Sequence, residues 1–167
     1  MKYYYFDASV LVKGYLWEDG SEDVRSVLRA VRAAPPAARV VTSSLVFVEA
    51  VSAVSRRTFK GEITEEQADE VRKRLLTHFA VYHVLQPKLG LVERAAELTR
   101  RHRLRALDAI HLATGLAARR RAPAWAEFQF GSADRRLNVA ATAELFDVFN
   151  PSTPVPPGTS TPVTPSE

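Results

Sequence analysis

The sequence contains no cysteine, which excludes disulfides, thiolate metal sites and cysteine nucleophiles. That absence also fits a cytoplasmic setting. No uninterrupted apolar stretch approaches membrane-spanning length. The N-terminal stretch MKYYYFDASVLVKGYLW is not expected to act as a signal peptide, because Asp7 and Lys13 interrupt what would be its apolar region. A phosphate-binding loop of the form GxxxxGKS or GxxxxGKT is missing, which removes the P-loop nucleotide hydrolases. His78, His83 and His102 form no ligand spacing, and nothing supplies the histidine and orienting acid that Ser44 or Ser132 would need as a nucleophile. Asp7-Ala8-Ser9 lacks the second aspartate that an aspartyl-phosphate phosphatase requires at the third position. No internal repeat is apparent.

What is present suits one ordinary globular domain. The chain has 167 residues, 46% hydrophobic and 25% charged, long enough to bury a single sizeable core. The formal net charge is +4 and the pI about 9.6, a modest excess that favours a polyanionic partner without naming one. Arginines cluster at Arg56-Arg57, at Arg100-Arg101 with Arg103 and Arg105, and at Arg119-Arg120-Arg121. Taken singly, each cluster reads as a solvated helix face or a C-terminal turn complementing the helix dipole.

Strand and helix signals alternate along the chain. Lys2–Phe6 is β-rich and aromatic and ends at Asp7. Ser9–Leu16 and Glu22–Ala33 carry apolar residues at helical spacing, and Pro35-Pro36 breaks the chain after them. Arg39–Thr42 is a short β-branched run, and Ser43-Ser44 offers an N-cap for a helix over Leu45–Phe59. Gly61 closes that helix, and Thr64 opens another running to about Ala80. Val81–Leu85 reads as a third strand, Leu89–His102 and Leu107–Arg119 as helices, Ala124–Phe130 as a fourth strand and Leu145–Phe149 as a fifth. This order predicts a central parallel sheet of four to five strands with helices on both faces. A domain over 1–149 is followed by residues 150–167, rich in Pro, Ser and Thr. That tail is expected to be disordered and dispensable for chemistry.

Ligands of open parallel sheets bind outside the carboxyl ends of the strands. Asp7 ends the first strand, Asp134 lies just beyond the fourth, Glu49 sits about one turn into the helix after the second, and Asp108 starts the helix Leu107–Arg119. All four can converge on one edge of the sheet. Each also has a plainer reading: Asp7 or Asp108 as an N-cap, Asp134 as a turn residue. Glu49 is the hardest to dismiss, because it stands within LVFVEAVSAV, too deep for a capping box. A buried carboxylate needs a partner, whether an arginine or a shared metal. Clustered carboxylates suit a hard cation such as Mg²⁺ or Mn²⁺, whose usual chemistry is phosphodiester hydrolysis. His111 follows Asp108 by one helical turn and is read as a packed helix residue.

The stretches YYFDASVLVK, TSSLVFVEAVSA, LRALDAIHLATG and GSADRRLNVAA, in that order, resemble the PIN-domain family, in particular its VapC-type toxins. The resemblance covers the chain up to about Phe149. It implies a three-layer α/β/α fold and a metal-dependent ribonuclease selective for single strands, usually a homodimer held inactive by an antitoxin protein. It also implies that Asp7, Glu49 and Asp108 form the firm ligand set and Asp134 the more variable fourth, with Ser9 and Ser44 supporting the site. Arg135 and Arg136 are the arginines nearest a ligand and are expected to steer the RNA backbone. The aliphatic helices Leu45–Phe59 and Glu65–Ala80 are the candidate surfaces for dimer and antitoxin. The Pro-rich tail and Pro35-Pro36 depart from the short toxins. The alternatives are a catalytically silent module that binds RNA or protein through the same fold, and a DNA nuclease of related architecture.

Overall fold

Alternation along the first strand decides how the layers assemble. In KYYYF, Tyr4 and Phe6 point to one face of the sheet and Tyr5 to the other, and all three are buried. The computed structural model describes residues 1–33 and 36–151. Its elements run β1 (Lys2–Phe6), α1 (Ala8–Lys13), α2 (Ser21–Arg32), β2 (Ala38–Ser43), α3 (Leu45–Phe59), α4 (Glu65–Phe79), β3 (His83–Leu85), α5 (Leu89–His102), α6 (Ala106–Arg121), β4 (Glu127–Gly131), α7 (Arg135–Ala143) and β5 (Asp147–Phe149). The strands form a five-stranded parallel sheet in the order β3-β2-β1-β4-β5, so β1 is central. The expected three-layer α/β/α fold is therefore present.

Each face of β1 has its own core. Tyr4 and Phe6 join Val10, Leu11, Val24, Leu28, Val46 and Leu75 beneath α1 to α4. Tyr5 joins Leu98, Leu112, Phe130, Leu137 and Phe146 beneath α5 to α7. Local signals explain most boundaries. Thr64 and Gln67 form a reciprocal capping box at the start of α4. Val24, Val27 and Leu28 give α2 its buried stripe.

Several features differ from the sequence reading, among them the fourth and fifth strands, which start at Glu127 and Asp147 rather than at Ala124 and Leu145. The first helix stops at Lys13, short of Leu16, where Gly14 takes over as C-cap. The third strand is only His83–Leu85, because Val81 and Tyr82 lie in a turn off α4 whose amides donate to His78 and Phe79 carbonyls. An unforeseen helix, α7, follows β4, with Asp134 as its N-cap. The segment RRLNVAATA has only a thin apolar stripe, of which Leu137, Ala140 and Ala141 are buried. Finally, Pro151 is buried and its carbonyl lies where a β-carbon on Gly20 would stand, at 1.7 Å, while Gly20 itself has φ of +80°. Gly20 is thus confined to glycine by both its backbone and its neighbour. The remainder of the expected tail, 152–167, and Pro35 of the expected break lie outside the described residues.

The α6 face of the sheet is packed without slack. A β-carbon on Gly115 would stand 2.7 Å from Phe130 Cε2, and the Phe130 ring is itself stacked on Tyr5 at 5.0 Å and tilted against Phe146 at 5.2 Å. The ring has nowhere to retreat. Gly115→Ala is therefore expected to lower the unfolding free energy by about 1–3 kcal/mol through overpacking, although alanine is the better helix former by roughly 1 kcal/mol. Urea denaturation checks this, and a midpoint at or above that of the parent protein would show that the ring can move aside.

Candidate active site

The sheet order reverses around β1: the chain adds β2 and β3 on one side, then crosses to place β4 and β5 on the other. Such a switch point opens a crevice at the carboxyl ends of the adjoining strands. The ladder there runs to its last residue, with Phe6 beside Gly131 and the Asp7 amide donating to the Gly131 carbonyl at 3.1 Å. Asp7 is thus mounted directly on sheet backbone, while Glu49 and Asp108 are carried by α3 and α6 and Asp134 by the start of α7.

Asp7 is buried and is the N-cap of α1, its Oδ1 accepting from Val10 N at 2.9 Å and from Ser9 Oγ at 2.7 Å. Ser9 Oγ accepts in turn from the Ala133 amide at 2.9 Å, which ties the start of α1 to the loop carrying Asp134. Asp134 is exposed; its Oδ1 accepts from Leu137 N at 2.9 Å and its own amide donates to Ser132 Oγ at 2.9 Å. Both aspartates are therefore caps, and each capping bond engages only Oδ1. Asp108 is half-buried in the first turn of α6 and does not cap it; Arg105 occupies that position. Ser44 stands at the N-cap position of α3, one helical turn before Glu49, without a side-chain capping bond and outside the lining of the cleft.

Glu49 has a partner that sequence reasoning did not assign to it. Its Oε2 lies 2.7 Å from His111 Nε2, and the other ring nitrogen of His111 lies 2.7 Å from Tyr5 Oη. His111 is buried against the edge of the Tyr5 ring, as a packed helix residue would be, yet it also serves the acid. The available signals were the spacing from Asp108 and the need of Glu49 for a partner. Neither reveals a contact between α3 and α6.

Asp7, Glu49, Asp108, Asp134, Ser9 and His111 line one open cleft of about 740 Å³. Burial pushes the Asp7 carboxyl up from its ordinary pKa, opposed by the nearby His111 and by bonds from Ser9, Ser132 and Val10. The Asp108 carboxyl is likewise raised by burial, then by the charges of Asp134 and Asp7, while His111 and Arg105 pull the other way. For His111, burial favours the neutral ring, but the Glu49 hydrogen bond and the charges of Asp7, Glu49 and Asp108 outweigh it and raise its pKa. The acids around the imidazole thus favour its protonated form, which offsets part of the cleft's negative charge.

Among the described residues, no three His, Asp or Glu side chains stand close enough to form a ready-made metal cage. The donor set nonetheless fits a small hard cation. Mg²⁺ keeps several waters and needs only one or two carboxylates plus substrate oxygens. The repulsion from Asp134 and Asp7, which adds to burial in lifting Asp108, is what such an ion relieves. Arg105, Arg135 and Arg136 border Asp108 and Asp134 in an adjoining cavity of about 440 Å³. Across the cleft, Lys13 and Arg57 both pair with Glu18.

The His111–Glu49 pair makes a testable demand. His111→Leu leaves a largely buried carboxylate without its cation and is expected to cost about 1–3 kcal/mol. Adding Glu49→Leu to that variant is expected to restore a substantial part of the loss. If thermal melts found the single variant as stable as the parent, the pair would have no structural weight.

Comparison with known proteins agrees with this geometry. The sequence profile of the PIN domain matches residues 4–144. The chain is 28% identical to Ribonuclease VapC45 of Mycobacterium tuberculosis (strain CDC 1551 / Oshkosh) over 113 residues, covering 68% of this chain and 74% of that protein. In fold, it is similar to FitAcB from Neisseria gonorrhoeae, with a TM-score of 0.59 and 14% identity over 89% of this chain and 97% of that one. It is also similar to a toxin–antitoxin complex from Klebsiella pneumoniae, with a TM-score of 0.57 and 12% identity over 90% of this chain and 98% of that one. At such identities the two structures speak for the fold alone. The profile spans both strands that meet at the switch point and every one of the four acids, and on that ground the chain belongs to the PIN domain family.

Proposed function

We propose that the chain is a divalent-metal-dependent endoribonuclease that hydrolyses RNA phosphodiester bonds, and that it is the toxin of a type II toxin–antitoxin pair. One observation carries the reading: Asp7, Glu49, Asp108 and Asp134 line a single cleft at the switch point of a PIN-family sheet. RNA as the substrate draws support from relatives named as ribonucleases. An antitoxin as the partner draws support from fold neighbours described as toxin–antitoxin complexes. Among the described residues no helix is long and apolar enough to cross a membrane, and the proposed setting is the cytoplasm.

The four acids would hold Mg²⁺ or Mn²⁺, directly or through water. Such an ion, when bound, lowers the pKa of a water molecule and stabilises the leaving oxygen of an in-line displacement. The chain's own residues do the positioning. Ser9 fixes one Asp7 oxygen and locks the Asp134 loop to α1. His111 orients Glu49 and offsets the negative charge of the cleft. Ser44 supports Glu49 only by opening the helix that carries it. Arg135 and Arg136, on the first turn of α7, draw the RNA backbone toward Asp134.

Homodimer and antitoxin contacts belong on α3 and α4, where Val48, Phe59 and Leu76 stay exposed. An antitoxin that inserts a basic side chain into the acidic cleft would compete with the metal.

A cleavage assay on labelled single-stranded RNA and DNA tests the reading. EDTA is expected to abolish cleavage of RNA, and added Mg²⁺ or Mn²⁺ to restore it. Undiminished activity in chelator would sink the mechanism; preference for DNA would make the chain a DNA nuclease; cleavage of neither, with RNA still bound, would make it a silent module. Asp7→Asn and Asp108→Asn are each expected to lower turnover by at least a hundredfold. Burial already disfavours both charges, and an asparagine at position 7 can still cap α1. The melting temperature of either variant in EDTA at pH 7 should therefore match or exceed that of the parent. A test of the tail's dispensability should cut after Pro151, since Pro151 packs on Gly20.

A further inference from the structure

Away from the acids, the molecule concentrates positive charge around a second, smaller cavity. Arg25, Arg29 and Arg32 follow one another at helical spacing on α2, and Arg74 of α4 joins them around a space of about 230 Å³ closed by Gly14 and Leu28. Among the described residues, one acid pairs with any of these four: Glu22, with Arg29, on the exposed surface. The other three have contacts that leave their charge uncompensated. Arg32 Nη1 lies 3.3 Å from His78 Nε2, a ring that burial and then the charges of Arg32 and Arg74 hold toward its neutral form. Arg74 lies 5.8 Å over the Tyr15 ring. Arg25 lies 4.7 Å over Trp17, and its Nε is shielded from solvent with no hydrogen-bond partner.

Trp17 is the second observation. It is 70% exposed, much as Trp125 is at 68%, but here the guanidinium of Arg25 covers one face of the ring. An exposed indole backed by a cation is a platform on which a nucleic-acid base stacks. An acidic polypeptide could satisfy the arginines but would gain nothing from the ring.

The third observation is continuity. Asp7 caps the start of α1 in the cleft, and Gly14 caps its end at the arginine cavity. The two are about 10 Å apart along the helix axis. Lys13 and Glu18, which flank the turn holding Trp17, line the cleft itself.

We propose that Trp17 and the Arg25–Arg29–Arg32–Arg74 cavity form an outlying track for single-stranded RNA, holding backbone phosphates and a stacked base a few nucleotides from the bond entering the cleft. This rests on the nuclease reading above, but its test does not use cleavage. The chain has two tryptophans, so Trp125→Phe leaves Trp17 as the sole indole. In that background, with EDTA present, a twelve-nucleotide 2′-O-methyl RNA is expected to quench Trp17 fluorescence saturably, and a trinucleotide is not. Arg32→Gln with Arg74→Gln, both exposed positions, should weaken binding of the long probe about tenfold at moderate salt. Loss of two phosphate contacts should also flatten the plot of log affinity against log salt by about 1.4. Cleavage of a trinucleotide by the same double variant should be unchanged, since that substrate reports the cleft alone.

Equal quenching by the trinucleotide, or an unchanged affinity and salt slope in the double variant, would overturn the track. So would an oligoglutamate peptide binding as tightly as RNA, which would make the patch a protein surface. Failure of the nuclease reading shows separately, as absence of cleavage of any length of RNA in Mg²⁺ or Mn²⁺.

Discussion

Carboxylates gathered around one cleft repel, and the folded chain must offset that repulsion or lose stability. Here the offset comes partly from within. His111, buried in α6 and bonded to Glu49 on α3, sits where the Glu49 hydrogen bond and the charges of Asp7, Glu49 and Asp108 favour its protonated form. Tyr5, at the centre of the sheet, fixes the other side of the same ring. One side chain therefore joins the middle strand, both helical layers and the acidic cleft.

Two of the other acids are steadied by backbone. Asp7 and Asp134 each cap a helix that starts just beyond a strand, so each uses one carboxylate oxygen to satisfy an amide that would otherwise lack an intrahelical partner. Ser9 links the two helix starts through a pair of hydrogen bonds. Capping and site chemistry are not rival explanations here. The same bond that ends a helix in order also fixes the carboxylate that faces the cleft. Asp108 has no such bond among the described residues, and the charges of Asp134 and Asp7 add to burial in raising its pKa.

The outer charges have the opposite arrangement. The acids converge, while the basic side chains lie around them in separate banks: Arg105, Arg135 and Arg136 on one flank, Lys13 and Arg57 sharing the single carboxylate of Glu18 on the other, and the α2–α4 group further out. The arrangement fits the RNA substrate proposed above, whose backbone would be held by cations on either side of the acids.

Local chemistry alone determined much of this protein. The aromatic alternation of Lys2–Phe6, the long periodic helices Leu45–Phe59 and Leu89–His102, and the four acids in their order are legible because each depends on residues a few positions apart. The short helix after Asp134 was not legible, since RRLNVAATA has a weak stripe and gains its burial by packing against α6, β4 and β5. The early end of the first helix and the seating of Pro151 on Gly20 were equally invisible. The His111–Glu49 bond joins residues 62 positions apart, and the arginine cavity unites two helices with no sequence signal in common. Periodicity and capping act within a turn or two of chain. Which helix faces lie side by side is decided by the order in which the strands enter the sheet, and that order exists only in the folded molecule.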